Sequence, residues 1–138
     1  MIKYLLETST CSYLMANNPR VKARLLSVQV ADYPFICPIV RGEILFGIER
    51  MPIGRKRQSL ENQAISLFAG LPCLAVPEEA GDYYAQMKRQ AEQQGTPLGE
   101  NDLWIAATAL ALDAVLVTSD SDFQRIVGLG LQLEDWTQ

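Results

Sequence analysis

The sequence predicts an α/β protein, a central parallel sheet of four to five strands with helices on both faces. Two observations predict it. Short apolar runs at residues 2–6, 34–37, 73–76, 114–118 and 131–133 alternate with longer segments of helical periodicity. The runs at 2–6 and 114–118 are apolar almost throughout, as strands covered on both faces are.

The elements follow in order. The first strand, 2–6, stops at Glu7. Residues 10–16 and 20–28 read as two helices separated by the break Asn17-Asn18-Pro19, forming an elaborated crossover to a brief strand at 34–37. Pro38 suits a first helical position, where its missing N–H costs nothing, and a helix follows at 39–50. Residues 52–57 are polar and basic and read as a connection. The segment 59–69 is amphipathic, with Leu60, Ala64, Leu67 and Phe68 on one face. A strand at 73–76 lies between Pro72 and Pro77. A longer helix at 78–94 puts Ala80, Tyr84, Met87 and Ala91 on one side, and Gly95 closes it. Residues 98–101 are a loop. The run DLWIAATALAL, 102–112, is apolar nearly all round and reads as a helix buried on most sides. A strand at 114–118, a short helix at 119–127 and a strand at 131–133 complete the pattern.

At 138 residues the chain is the size of one domain, 1–138, able to bury its own core. Hydrophobic residues make up 49% and charged residues 20%, which places it among globular chains. No run approaches the ~20 apolar residues of a membrane span. The apolar stretch in MIKYLLETST is too short for a signal peptide, so a cytoplasmic location is expected. Cys11, Cys37 and Cys73 are widely spaced and have no histidine to complete a zinc site with them. They read as reduced core or near-core fillers. A net charge of −4 is unlike the usual nucleic-acid binder. Two basic clusters, Arg20, Lys22, Arg24 and Arg50, Arg55, Lys56, Arg57, read either as solvated surface or as a phosphate-tracking rim.

The absence of histidine directs any chemistry to carboxylates and, with them, to a divalent metal. Glu7 and Asp120 follow strands, and strand carboxyl ends converge on the crevice where parallel sheets bind ligands. Asp102 opens the apolar helix, and Glu43 lies within another. Mg2+ prefers oxygen ligands and keeps several waters. It lowers the pKa of a bound water and can stabilise charge at a phosphodiester. Each acid also has a structural alternative. Asp102 could be an N-terminal dipole partner or cap of its helix, beside Glu100 and Asn101. Asp120 and Asp122 suit turn and capping chemistry in Ser119-Asp120-Ser121-Asp122. Glu43 could pair with Arg41 or Arg50. Glu7, directly after two leucines, is hard to explain as plain surface.

Taken together, KYLLETSTCSYLM, RGEILFGIER, LGENDLWIAATAL and VLVTSDSDF resemble the PIN-domain ribonucleases, and in particular the VapC toxins of bacterial toxin-antitoxin pairs, over essentially the whole chain. The resemblance implies a PIN-like sheet and places the family's four acidic positions on Glu7, Glu43, Asp102 and Asp120. Asp122 is a close second for the last, so the metal set is Glu7, Asp102, Asp120 and Asp122. Ser9 and Thr118 match polar residues that order the site. The resemblance further implies a Mg2+- or Mn2+-dependent endoribonuclease acting on tRNA or other structured RNA, a homodimer, and a cognate antitoxin whose tail occupies the groove.

Glu7 departs from the family, which has aspartate there. Its extra methylene moves the carboxylate outward by roughly one bond, where catalytic geometry tolerates ~0.5 Å of slack. Two readings follow: a metal-dependent ribonuclease weakened by Glu7, or a non-catalytic module acting through antitoxin binding. A receiver-type phosphoacceptor fits poorly, because a single acid follows the first strand and no lysine occurs after Lys88.

Overall fold

The computed structural model describes residues 1–138, the side chain of Val127 apart. Strands β1 (Lys3–Leu6), β2 (Tyr33–Phe35), β3 (Ala114–Val117) and β4 (Leu133–Glu134) form one sheet in the order β2-β1-β3-β4. All three pairings are parallel. The chain leaves β1 toward β2 on one side and later returns to β3 on the other. The crevice between the carboxyl ends of β1 and β3 is therefore the topological switch point of the sheet. Leu6 stands opposite Val117, so Glu7 and Thr118 are the next residues out of that central pair.

Helices α1 (Thr8–Met15), α2 (Pro19–Val28), α3 (Pro38–Glu49), α4 (Arg55–Gly70), α5 (Ala80–Gln94) and α6 (Glu100–Ala111) flank the sheet. Asn18 caps α2 by accepting from the Arg20 and Val21 amides at 3.1 Å, with Pro19 in the first turn. Gly95 ends α5 in the left-handed region at φ 68°, where a side chain is disfavoured. α6 buries Leu103, Ile105, Ala106, Ala107, Thr108 and Ala109. It packs against α5 and β3, as its apolar circumference requires. Leu5, Leu6, Phe35, Leu116 and Phe123 lie at the centre of the core with no exposed surface.

Several boundaries differ from the sequence expectation. Residues 73–76 are not a strand, which leaves four strands rather than five. Cys73 forms only an isolated parallel bridge with Ile36. The prolines on both sides, Pro72 and Pro77, offer no N–H to extend a ladder. Cys73 is exposed, whereas Cys11 and Cys37 are buried fillers as expected. The last strand is Leu133–Glu134 rather than 131–133, with Leu131 turned into the core instead. The expected connection 52–57 is partly helical, because α4 starts at Arg55. Arg57 there reaches back to the Met51 carbonyl at 3.0 Å and to Glu61 at 2.9 Å. α6 begins at Glu100, so only part of the expected loop 98–101 remains and Asp102 is the third helical residue. The expected helix 119–127 is a 3₁₀ segment, Ser121–Leu129, kinked at Ile126.

Candidate active site

Glu7 ends β1 and serves as the N-cap of α1, which therefore starts at Thr8 rather than at residue 10. It is only 5% exposed. Its Oε1 accepts from the Ser9 amide at 3.1 Å, from Ser9 Oγ at 2.6 Å and from Thr118 Oγ1 at 2.6 Å. Both hydroxyl protons are thereby spent on Glu7. The two hydroxyl oxygens are then free to accept: Ser9 Oγ from the Ser119 amide at 3.1 Å, Thr118 Oγ1 from the Asp120 amide at 3.0 Å. One carboxylate oxygen thus links the end of β1 to the turn after β3 and sets the backbone that carries Asp120. Burying a charge without such donors would be costly; three donors to one oxygen meet that cost. The other oxygen, Oε2, makes no hydrogen bond among the described residues.

Glu43 pairs with neither Arg41 nor Arg50. Thr8 Oγ1 donates to its Oε1, and Asn101 Nδ2 donates to its Oε2 at 3.4 Å. Arg41 instead lies over the Phe68 ring and Arg50 over the Phe46 ring. Thr8 was not singled out in the sequence, and Asn101 only as a neighbour of Asp102 at the helix start, although each directly adjoins a candidate acid, Glu7 and Asp102.

Asp102 is not the cap of α6, whose N-cap is Gly99 with no side-chain hydrogen bond, but it does lie in the first turn, where the helix dipole favours an acid. Among the described residues the Asp102 side chain has neither a hydrogen bond nor an ion pair. Its place is fixed from the far side of α6, where Lys88 Nζ meets Glu100 at 2.6 Å and Tyr84 stacks on Trp104 at 4.0 Å between centroids. Asp120 does perform turn chemistry, accepting the Asp122 amide at 2.9 Å. Asp122 pairs with Arg125 at 3.1 Å, while Asp120 has no cationic partner among the described residues.

The electrostatics show that these acids share one field. Burial pushes the Asp102 carboxyl up from its ordinary 3.8 to about 6, reinforced by Glu7, Glu43, Asp120 and Asp122 in that order. Because the folded state holds this proton more tightly than the unfolded chain does, metal-free stability falls as pH rises from about 4 through about 6. A divalent cation bound at Asp102 would reverse that loss, but only where the carboxyl is ionised. In thermal melts, Mg2+ is therefore expected to raise Tm at about pH 7.5 and to have little effect at about pH 5. An equal shift at both pH values would contradict a cation site at Asp102.

The expected basic rim is partly structural. Arg24 pairs with Glu134 at 2.9 Å and lies over Tyr4 and Trp136. Arg57 pairs with Glu49 and Glu61.

A family profile described as the PIN domain matches residues 4–129. The chain belongs to the PIN-domain family. Relatives of this PIN domain include Ribonuclease VapC1 of Haemophilus influenzae (strain R2866), 33% identical over 138 residues, with 98% of each chain covered. The tRNA(fMet)-specific endonuclease VapC of Salmonella typhimurium is 27% identical over 137 residues, with 99% of each covered. Among solved structures, VapBC2 from Rickettsia felis, bound to a DNA fragment from their promoter, matches with a TM-score of 0.87 at 28% identity, over 98% of this chain and 99% of that one. VapBC-1 from nontypeable Haemophilus influenzae matches with a TM-score of 0.84 at 33% identity, over 99% and 100%. The four-stranded parallel sheet is thus that of a PIN domain.

PIN-domain nucleases are metal-dependent, and the donor set here suits a hard cation. Glu7 Oε2, both Asp102 oxygens and Asp120 Oδ2 are carboxylate oxygens without a protein donor among the described residues. No three acidic side chains among the described residues enclose an ion by themselves. Mg2+ needs only one or two carboxylates and completes its shell with water.

Proposed function

We propose that the chain is a metal-dependent endoribonuclease toxin of a type II toxin-antitoxin pair, acting in the cytoplasm on RNA such as tRNA. The observation that carries this reading is Asp102, a half-buried carboxylate whose charge is opposed by burial and by four other acids, and whose side chain has no hydrogen bond or ion pair among the described residues. Such a perturbed group in a crevice marks a functional site. Mg2+ or Mn2+ would sit among Glu7, Asp102 and Asp120, bound directly by one or two of them and through its waters by the rest, with Asp122 in a lesser role because Arg125 engages it. The ion, when bound, supplies charge neutralisation at the phosphate and a more acidic water. Glu43, fixed at both oxygens by Thr8 and Asn101, orients the attacking water and receives its proton. Ser9 and Thr118 position Glu7 and the Asp120 backbone.

A second reading rests on Glu7 itself. Glutamate carries its carboxylate about 1.5 Å beyond an aspartate, and the Ser9 and Thr118 donors hold one oxygen there. The alternative is a non-catalytic module that acts through antitoxin binding. One experiment addresses both readings: cleavage of tRNA by the wild-type chain and by Glu7→Asp, with Mg2+ and after EDTA. Cleavage with Mg2+, loss in EDTA and a faster Glu7→Asp variant are expected. Cleavage that survives EDTA contradicts the metal site, and silence of both proteins even with Mn2+ favours the module.

The VapBC complexes among the structural relatives support a cognate antitoxin as partner. A homodimer is supported by exposed apolar side chains on neighbouring helices, Leu45 on α3 and Ile65 on α4. Sedimentation at micromolar concentration should show a dimer, and a monomer counts against it.

A further inference from the structure

α3 presents a stripe that the chemistry above uses only at its start. Gly42, Glu43, Phe46, Gly47 and Arg50 recur at helical spacing and line one wall of an open groove of about 620 Å³. Thr8 and Asn101, the two partners of Glu43, also line it. The groove therefore begins at the acidic cluster and follows α3 for about 10 Å, from Glu43 to Arg50.

Three features of this groove have no structural purpose that the fold supplies. Phe46 is 62% exposed. The Arg50 guanidinium lies 5.1 Å from the Phe46 ring centroid and makes no ion pair among the described residues. Gly42 and Gly47 sit inside a helix, where glycine is a poor former, yet a Cβ on either would meet nothing within 4 Å. Packing does not demand these glycines. What their missing side chains do is leave the wall of the groove clear.

We infer that this groove is a nucleotide subsite: a base of the unpaired RNA next to the scissile phosphate stacks on Phe46, and the adjoining phosphate pairs with Arg50. This rests on the ribonuclease reading above. An aromatic face accepts a base only when that base is splayed out of a helix, so the occupant is a single-stranded segment. The acids at one end of the groove repel a polyanion unless a cation is present. Arg50 supplies positive charge at the other end and gives the strand a direction.

The test is binding of a short, mixed-sequence, single-stranded oligoribonucleotide by fluorescence anisotropy, with cleavage kinetics on the same RNA. Phe46→Ala is expected to weaken binding roughly fivefold to a hundredfold and to raise KM with kcat kept, while Phe46→Tyr restores both. Gly47→Leu fills the groove and adds helix propensity, so it is expected to weaken binding without lowering Tm. Without divalent metal, Asp102→Asn is expected to bind this RNA at least as tightly as wild type, and in Mg2+ to cut it about 10²- to 10³-fold more slowly. If wild type fails to bind, or if Phe46→Ala and Gly47→Leu both bind and cut as wild type does, the subsite is overturned. Cutting by wild type with a large loss in Asp102→Asn leaves the ribonuclease reading standing in that case, whereas cutting by Asp102→Asn at the wild-type rate overturns that reading instead. If Phe46→Ala keeps RNA binding but converts a dimer to a monomer in sedimentation, this face is an interface between copies and the subsite is overturned.

Discussion

Asp102→Asn is expected to lower RNA cleavage by about 10²- to 10³-fold, the usual cost of removing one preorganised electrostatic group, while raising the Tm of the metal-free protein. The two effects share one cause. Burial of the Asp102 carboxyl lifts its pKa to about 6, with the charges of Glu7, Glu43, Asp120 and Asp122 adding to the shift. Above that pH the ionised group opposes folding, and an amide of nearly the same shape removes the opposition. The same amide removes the charge that a cation needs. A more stable but inactive variant is the signature of a site whose strain serves function. Melting curves without metal, paired with cleavage rates in Mg2+, measure both. A variant that loses stability along with activity would instead point to a structural acid.

Thr118→Val has the second largest expected effect. Thr118 is 5% exposed, donates to Glu7 Oε1 and accepts from the Asp120 amide. Valine keeps the shape and deletes both bonds, leaving the Asp120 amide without its acceptor and Glu7 one donor short. A loss of about 1–3 kcal/mol in stability is expected. Cleavage should fall about 10- to 100-fold, the range for removing a residue that orients a metal ligand. Thr118→Ser, which keeps the hydroxyl, should recover most of both. Urea melts and cleavage rates on the pair decide. If valine and serine behave alike, the hydroxyl does not position the site.

The fold and the acids of the candidate site were legible in the sequence for identifiable reasons. β1 and β3 are short runs of apolar side chains ending in polar residues, so their carboxyl ends could be located to within a residue. α6 was legible because its apolar circumference admits only a buried helix. The 73–76 run misled because its composition resembles a strand while its flanking prolines remove the donors a strand needs. The boundaries of α1 and α6 moved because caps decide them: Glu7 accepts the Ser9 amide, and Gly99 starts the turn before Asp102. The four acids could be named from their places on the elements. The partners that hold them could not, because Thr118 and Glu7 lie 111 residues apart and Asn101 and Glu43 lie 58 apart. Single-sequence periodicity carries no information across such distances. Nor could it show that Arg41 and Arg50 lie over aromatic rings, while Glu43 has no ion-pair partner among the described residues.

Calorimetric titration of Mn2+ into the RNA-free wild-type chain and into Asp102→Asn, at a pH well above 6, addresses the central claim that these carboxylates form the metal site. Saturable binding to the wild type and its loss in the variant are predicted. Equal binding by both proteins would contradict the claim.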